Sequence, residues 1–158
     1  MHFYLLAFLP LIITAVPLPY PSPDNALSDA ANILVNGIQE NLNHGQQEIQ
    51  TVQTLQSLES NSASASDIAT GIANVQAALN LAIADRENNQ ALATPDFPNV
   101  LTGLAKVQAA QEKATTTVES LTGDAAIDAP ILSGLLTTFE GGFATNQANL
   151  VLVSCECS

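Results

Sequence analysis

Apolar side chains recur along most of the chain at the three- and four-residue steps of an amphipathic helix. From about Ser28 to Ser57, the residues Leu34, Ile38, Leu42, Ile49 and Val52 share one arc about 80° wide, and Leu55 and Leu58 drift off it. A serine-rich break follows at Ser60-Asn61-Ser62-Ala63-Ser64-Ala65-Ser66, where Ser64 and Asp67 have the spacing of a capping box. A second helix then aligns Ile68, Ile72, Val75, Leu79 and Ile83 and is expected to end near Gln90. Thr94-Pro95-Asp96-Phe97-Pro98 predicts an extended link, because residues before proline avoid helical torsions. The third helix aligns Val100, Leu104, Val107, Ala114 and Val118, with Gly123 as its stop. For the fourth, Asp128 is the expected cap and Pro130 falls in the first turn. Its inward stripe is Leu132, Leu135, Leu136, Phe139, Phe143, Leu150 and Val153, and Gly141-Gly142 is a point of weakness.

No segment alternates with period two, so the expected class is all-α. Short connections favour antiparallel neighbours, which predicts an up-down-up-down four-helix bundle over 28–154. One internal echo, Ala73-Asn74-Val75-Gln76-Ala77-Ala78 against Ala105-Lys106-Val107-Gln108-Ala109-Ala110, sits mid-helix in both places. Convergent helix composition accounts for it more simply than duplication.

Ahead of the bundle the pattern changes. Met1 to Ala15 is an apolar run without an acid that ends at small residues, as in a secretory signal peptide, and it is short for a membrane span. Residues 16–27 hold prolines at alternate positions from Pro17 to Pro23, which predicts an extended tether. The expected location is therefore extracellular. A Cys-containing tail, 155–158, closes the chain. Cys155 and Cys157 are the only cysteines, and at this spacing their side chains diverge on a helix or a strand. An intermolecular disulfide, giving a linked dimer, and a strained local bridge are both open readings.

Charge narrows the partners. Three basic residues against fifteen acidic ones give a formal net charge of −12, and the cations are Arg86, Lys106 and Lys113. Without clustered Lys and Arg there is no phosphate-binding surface, so neither nucleic acid nor anionic lipid is an expected partner. Only 11% of residues are charged, and Asn and Gln fill the polar faces instead. Such a weakly ionic surface suits an acidic or wall-like setting.

Helical phase exposes one oddity. Arg86 follows Ile68 by five full turns and so lies in line with the apolar stripe of the second helix. Gln111 interrupts the stripe of the third helix and Asn146 that of the fourth. A buried guanidinium or amide must find a partner, so Arg86, Gln111 and Asn146 form a candidate interior polar cluster, with Glu87 at its edge. The competing reading lets Arg86 snorkel outward from a helix end. Leu79, Phe139 and Phe143 are candidates for lining an apolar cavity, if small residues in the stripes leave room.

Catalytic equipment is sparse. His44 projects about 80° from the first stripe, and no Ser-His-Asp set forms around it. No metal-ligand spacing or phosphate-cradling glycine loop occurs, and no cofactor is expected. Asp85 and Glu87 flank Arg86 on opposite sides of a helix and cannot face each other as an acid pair. The expectation is a non-enzyme.

At Ile83-Ala84-Asp85-Arg86-Glu87-Asn88-Asn89-Gln90 the chain resembles a group of fungal small secreted proteins. These share a signal peptide, a helical body, a stretch like Arg86 to Gln90, a proline link and a helix like Leu104-Ala105-Lys106-Val107-Gln108. Phe139-Glu140-Gly141-Gly142 fits as well. The resemblance implies secretion and helical architecture, and carries over no biochemical activity. In general plan the chain is also similar to the fungal hydrophobic-surface-binding and cell-wall galactomannoprotein family, whose members bind apolar surfaces or lipids. Two functions follow as expectations. One is an extracellular or cell-wall interaction protein, effector-like, with a protein or wall partner. The other is a binding protein for an apolar surface or lipid-like ligand.

Overall fold

A computed structural model describes residues 29–93 and 97–156, the last two by backbone alone. The signal-peptide segment 1–15, the tether 16–27, residues 94–96 of the link and the side chains of Cys155 and Cys157 lie outside the described residues. Four helices make up the fold: α1 (Asp29–Ser60), α2 (Ala65–Leu92), α3 (Pro98–Glu119) and α4 (Ala125–Glu156). Among the described residues there is no strand, and the protein is an all-α bundle.

Local chemistry sets the helix ends. The Ser64 hydroxyl accepts from Asp67 N at 3.2 Å and donates to the Asp67 carboxylate at 2.7 Å, so the capping box forms and opens α2 at Ala65. Pro98 occupies the first turn of α3, where its missing N–H leaves no bond unmade. The third helix ends at Glu119, and Gly123 takes φ +80° in the turn beyond it rather than at the helix end itself.

Asp128 is not the cap of α4. Asp124 holds that place, accepting from Ala126 N at 2.9 Å, and the helix starts at Ala125, which puts Pro130 in its second turn. Asp128 is fully buried and turns back to the loop. It accepts from Thr122 N, Thr122 Oγ1 and Gly123 N at 2.7–3.1 Å. One carboxylate thus satisfies the Thr122 and Gly123 donors at the centre of the α3–α4 turn. Gly141-Gly142 does not interrupt α4, which runs continuously to Glu156.

The helices touch in a ring, α1 with α2 and α4, and α3 with the same two. Close contacts climb one helix as they descend the next. Gly37 lies against Asn89, while Gly71 meets Leu55 further along α1. Arg86 bonds Gln111, and Gln90 bonds Gln108.

The core has two apolar sections. One joins Val52, Leu55, Val75, Leu79, Val118, Leu135 and Phe139 with their neighbours, near the α1–α2 and α3–α4 turns. The other joins Leu34, Ile38, Leu42, Phe97, Val100, Leu104 and Val153 at the opposite end. Phe143 packs against both. Each fully buried aliphatic or aromatic side chain contributes about 1.5–3 kcal/mol, which lets the bundle fold on packing alone.

Candidate functional site: a polar belt through the core

Between the two apolar sections and into the second of them, every helix replaces apolar core residues with polar ones. Asn41 and Glu48 do so on α1, Arg86 and Asn89 on α2, Gln111 on α3, Asn146 and Asn149 on α4, and all seven are buried. Seven-residue steps explain the alignment. Leu34, Asn41, Glu48 and Leu55 follow one line along α1, as Leu104, Gln111 and Val118 do on α3 and Phe139, Asn146 and Val153 on α4.

Arg86 anchors one half of the belt. Its Nε donates to Gln111 Oε1 at 3.0 Å and its Nη1 to Gln90 Oε1 at 2.7 Å. Nη2 reaches Glu87 Oε1 at 3.4 Å, on a side chain that is 63% exposed. Gln90 Nε2 donates to Gln108 Oε1, and Gln108 Nε2 to Glu112 Oε1, at 3.1 and 2.9 Å. The guanidinium is buried and its strong bonds go to neutral amides, so it is part of the interior and does not snorkel.

Asn146 belongs to the other half. Its Nδ2 donates to Asn41 Oδ1, Asn41 Nδ2 donates to Ala82 O at 2.6 Å, and Asn149 Nδ2 donates to Asn146 Oδ1 at 3.2 Å. The structure therefore brings Arg86 and Gln111 together and gives Asn146 separate partners, Asn41 on α1 and Asn149 on α4. An asparagine seated on a glycine occurs twice. The Asn89 side chain occupies the space where a Cβ on Gly37 would stand, and Asn149 does the same at Gly103. Only glycine admits that approach. Both amide atoms of Asn89 are buried without a hydrogen-bond partner.

Glu48 has the most perturbed environment. It is 5% exposed, Oε1 has no partner, and burial pushes its carboxyl from 4.5 up to about 8. It faces a chamber of about 20 Å³ whose walls include Asn41, Gln111, Asn146, Phe139 and Phe143. That volume accommodates about one water molecule. Phe139 and Phe143, expected to line an apolar cavity, thus border only this small space of mixed polar and apolar walls, while Leu79 is packed in the first apolar section.

Two further contacts have no precedent in the sequence pattern. His44 Nδ1 meets Asp85 Oδ2 at 2.5 Å across α1 and α2, and this is the histidine's one hydrogen bond among the described residues. At the turn end, Glu59 is buried beside Asp128, and its carboxyl is raised by burial first and then by the Asp128 charge. Asn41, Glu48 and Asn149 escape a reading focused on stripe breaks late in the chain, although Asn41 and Glu48 sit in phase with Leu34.

Among the described residues, no group of three or more His, Cys, Asp and Glu side chains is arranged to hold a metal ion, and no helix is long and apolar enough to cross a membrane. Comparison with protein-family models, curated proteins and solved structures gives no match to this chain.

Proposed function

We propose that this chain is a secreted, non-enzymatic bundle that acts through its outer surface as an extracellular or cell-wall-associated interaction protein. One observation carries the choice over a lipid carrier. The interior space bordered by Phe139 and Phe143 is about 20 Å³, room for about one water, whereas small-molecule pockets span roughly 300–1,000 Å³. The Met1–Ala15 segment and the resemblance of Arg86 to Gln90 to fungal small secreted proteins support export. The His44 contact supports a structural role for that histidine, since its bond goes to Asp85 and to no nucleophile.

Binding to an apolar surface stands second, on a different observation. The outer face of α2 exposes Ala69, Ala73, Ala77, Leu81 and Ala84, and no charged residue occurs between Asp67 and Asp85. The test uses the full chain expressed in a secreting host. Recovery from the medium, with saturable and competable binding of the labelled protein to isolated cell walls, supports the first reading. Retention inside the cell, or saturable uptake of a fluorescent fatty acid without wall binding, overturns it.

A further inference from the structure

Where α1 begins and α2 ends, the two helices leave an open groove of about 500 Å³. Ile33 and Leu92 border it, 52% and 36% exposed, both large apolar side chains open to solvent. Glu40 and Asp85 border it as well, with Asn36 and Asn88 between. The order repeats on both walls. Ile33 precedes Glu40 by seven residues on α1, and Asp85 precedes Leu92 by seven on α2. Since α1 and α2 pass Gly37 against Asn89, the aliphatic pair shares one end of the groove and the acid pair lies further in. Two helical turns separate the pairs, about 10 Å.

We propose that this groove docks a cationic amphipathic helical peptide segment, with an aliphatic side chain and a Lys or Arg two turns apart. An i, i+7 pair on a partner helix spans the same distance and sits on one face. Its aliphatic group covers Ile33 and Leu92, and its cation lies between Glu40 and Asp85. No Lys or Arg of this chain lines the groove to compete for those acids. His44 meets Asp85 at Oδ2, and Glu40, at an exposed position, is the acid most open to the ligand. Charge complementarity with a chain of net charge −12 steers the encounter, while the aliphatic pair fixes its place. The proposal names a partner for the surface-acting protein described above and rests on that reading.

The probe is a synthetic Ala-based helical peptide with Leu and Lys at i and i+7, titrated into the isotopically labelled protein and followed by NMR. A matched peptide with Glu in place of Lys is the control. The expected result is saturable shifts confined to Ile33, Asn36, Glu40, Asn88 and Leu92. Combining Glu40→Gln with Leu92→Ser, both at exposed positions, should weaken binding by about tenfold or more. Glu119→Gln, on α3, should leave it unchanged. Shifts spread evenly over Glu112, Glu119 and Glu140, equal binding of the Glu peptide, or no saturation at about 1 mM peptide each overturn the proposal. Wall binding that fails while the groove saturates would instead remove the wall reading and leave this site standing.

Discussion

Glu48→Gln removes an ionisable group from the middle of the core and keeps its shape. Burial raises the Glu48 carboxyl from 4.5 to about 8. Below about pH 4.5 the folded and unfolded chains both hold the proton, and Glu48 adds no pH dependence. Between 4.5 and 8 the unfolded chain has released it while the folded chain retains it, so stability falls by about 1.4 kcal/mol per pH unit. Above 8 the curve levels, after a total loss of about 5 kcal/mol. Glutamine is neutral throughout, so the variant should match the wild type near pH 4 and exceed it by about 3 kcal/mol at pH 7. In a bundle of this size that is a rise of about 10 °C in Tm. Urea unfolding followed by circular dichroism from pH 4 to 9 reads both curves. Glu119→Gln, at an exposed position, controls for the simple loss of a negative charge. Glu59 is also raised and contributes a slope of the same sign, which Glu59→Gln identifies. A Glu48→Gln protein that keeps the wild-type slope, or is less stable at pH 7, refutes the reasoning.

Three other outcomes follow from the belt and its turn. Gly37→Ala should destabilise the protein by about 1–3 kcal/mol through overpacking against Asn89; adding Asn89→Ala should recover most of that loss, because the intruding amide is gone. Thermal melts of the two singles and the double close this cycle, and additive losses would contradict it. Arg86→Ala should cost about 2–3 kcal/mol by stranding Gln111 and removing packed methylenes, read as a lower urea midpoint; an unchanged midpoint would take Arg86 out of the interior network. Asp128→Ala should lower stability by about 2 kcal/mol by leaving its donors without their charged acceptor, with hydrogen exchange accelerating first at Thr122 and Gly123.

The helices were legible because their apolar residues keep a single phase over many turns, and the Ser64–Asp67 box marks a boundary by local chemistry alone; Pro98, expected in the extended link, instead opens α3. Phase also revealed Arg86, Gln111 and Asn146 as polar residues in apolar lines. The bonds they make were not legible, since whether Asn146 reaches Arg86 or Asn41 depends on the register between helices, a tertiary quantity. Glu48 and Asn41 hid for a simpler reason: on the glutamine- and asparagine-rich first helix, a polar residue in phase with Leu34 looks like its solvated neighbours. Asp128 has the residue type and place of a helix cap, and only the fold shows that Asp124 takes that role while Asp128 turns inward.

Native mass spectrometry of the secreted protein tests most directly whether this bundle works with a filled interior and an active surface. The account predicts the bare polypeptide, with no stoichiometric lipid retained under gentle ionisation. A co-purifying adduct with the mass of a fatty acid or phospholipid, lost when Phe139 and Phe143 are changed to polar residues, would contradict it.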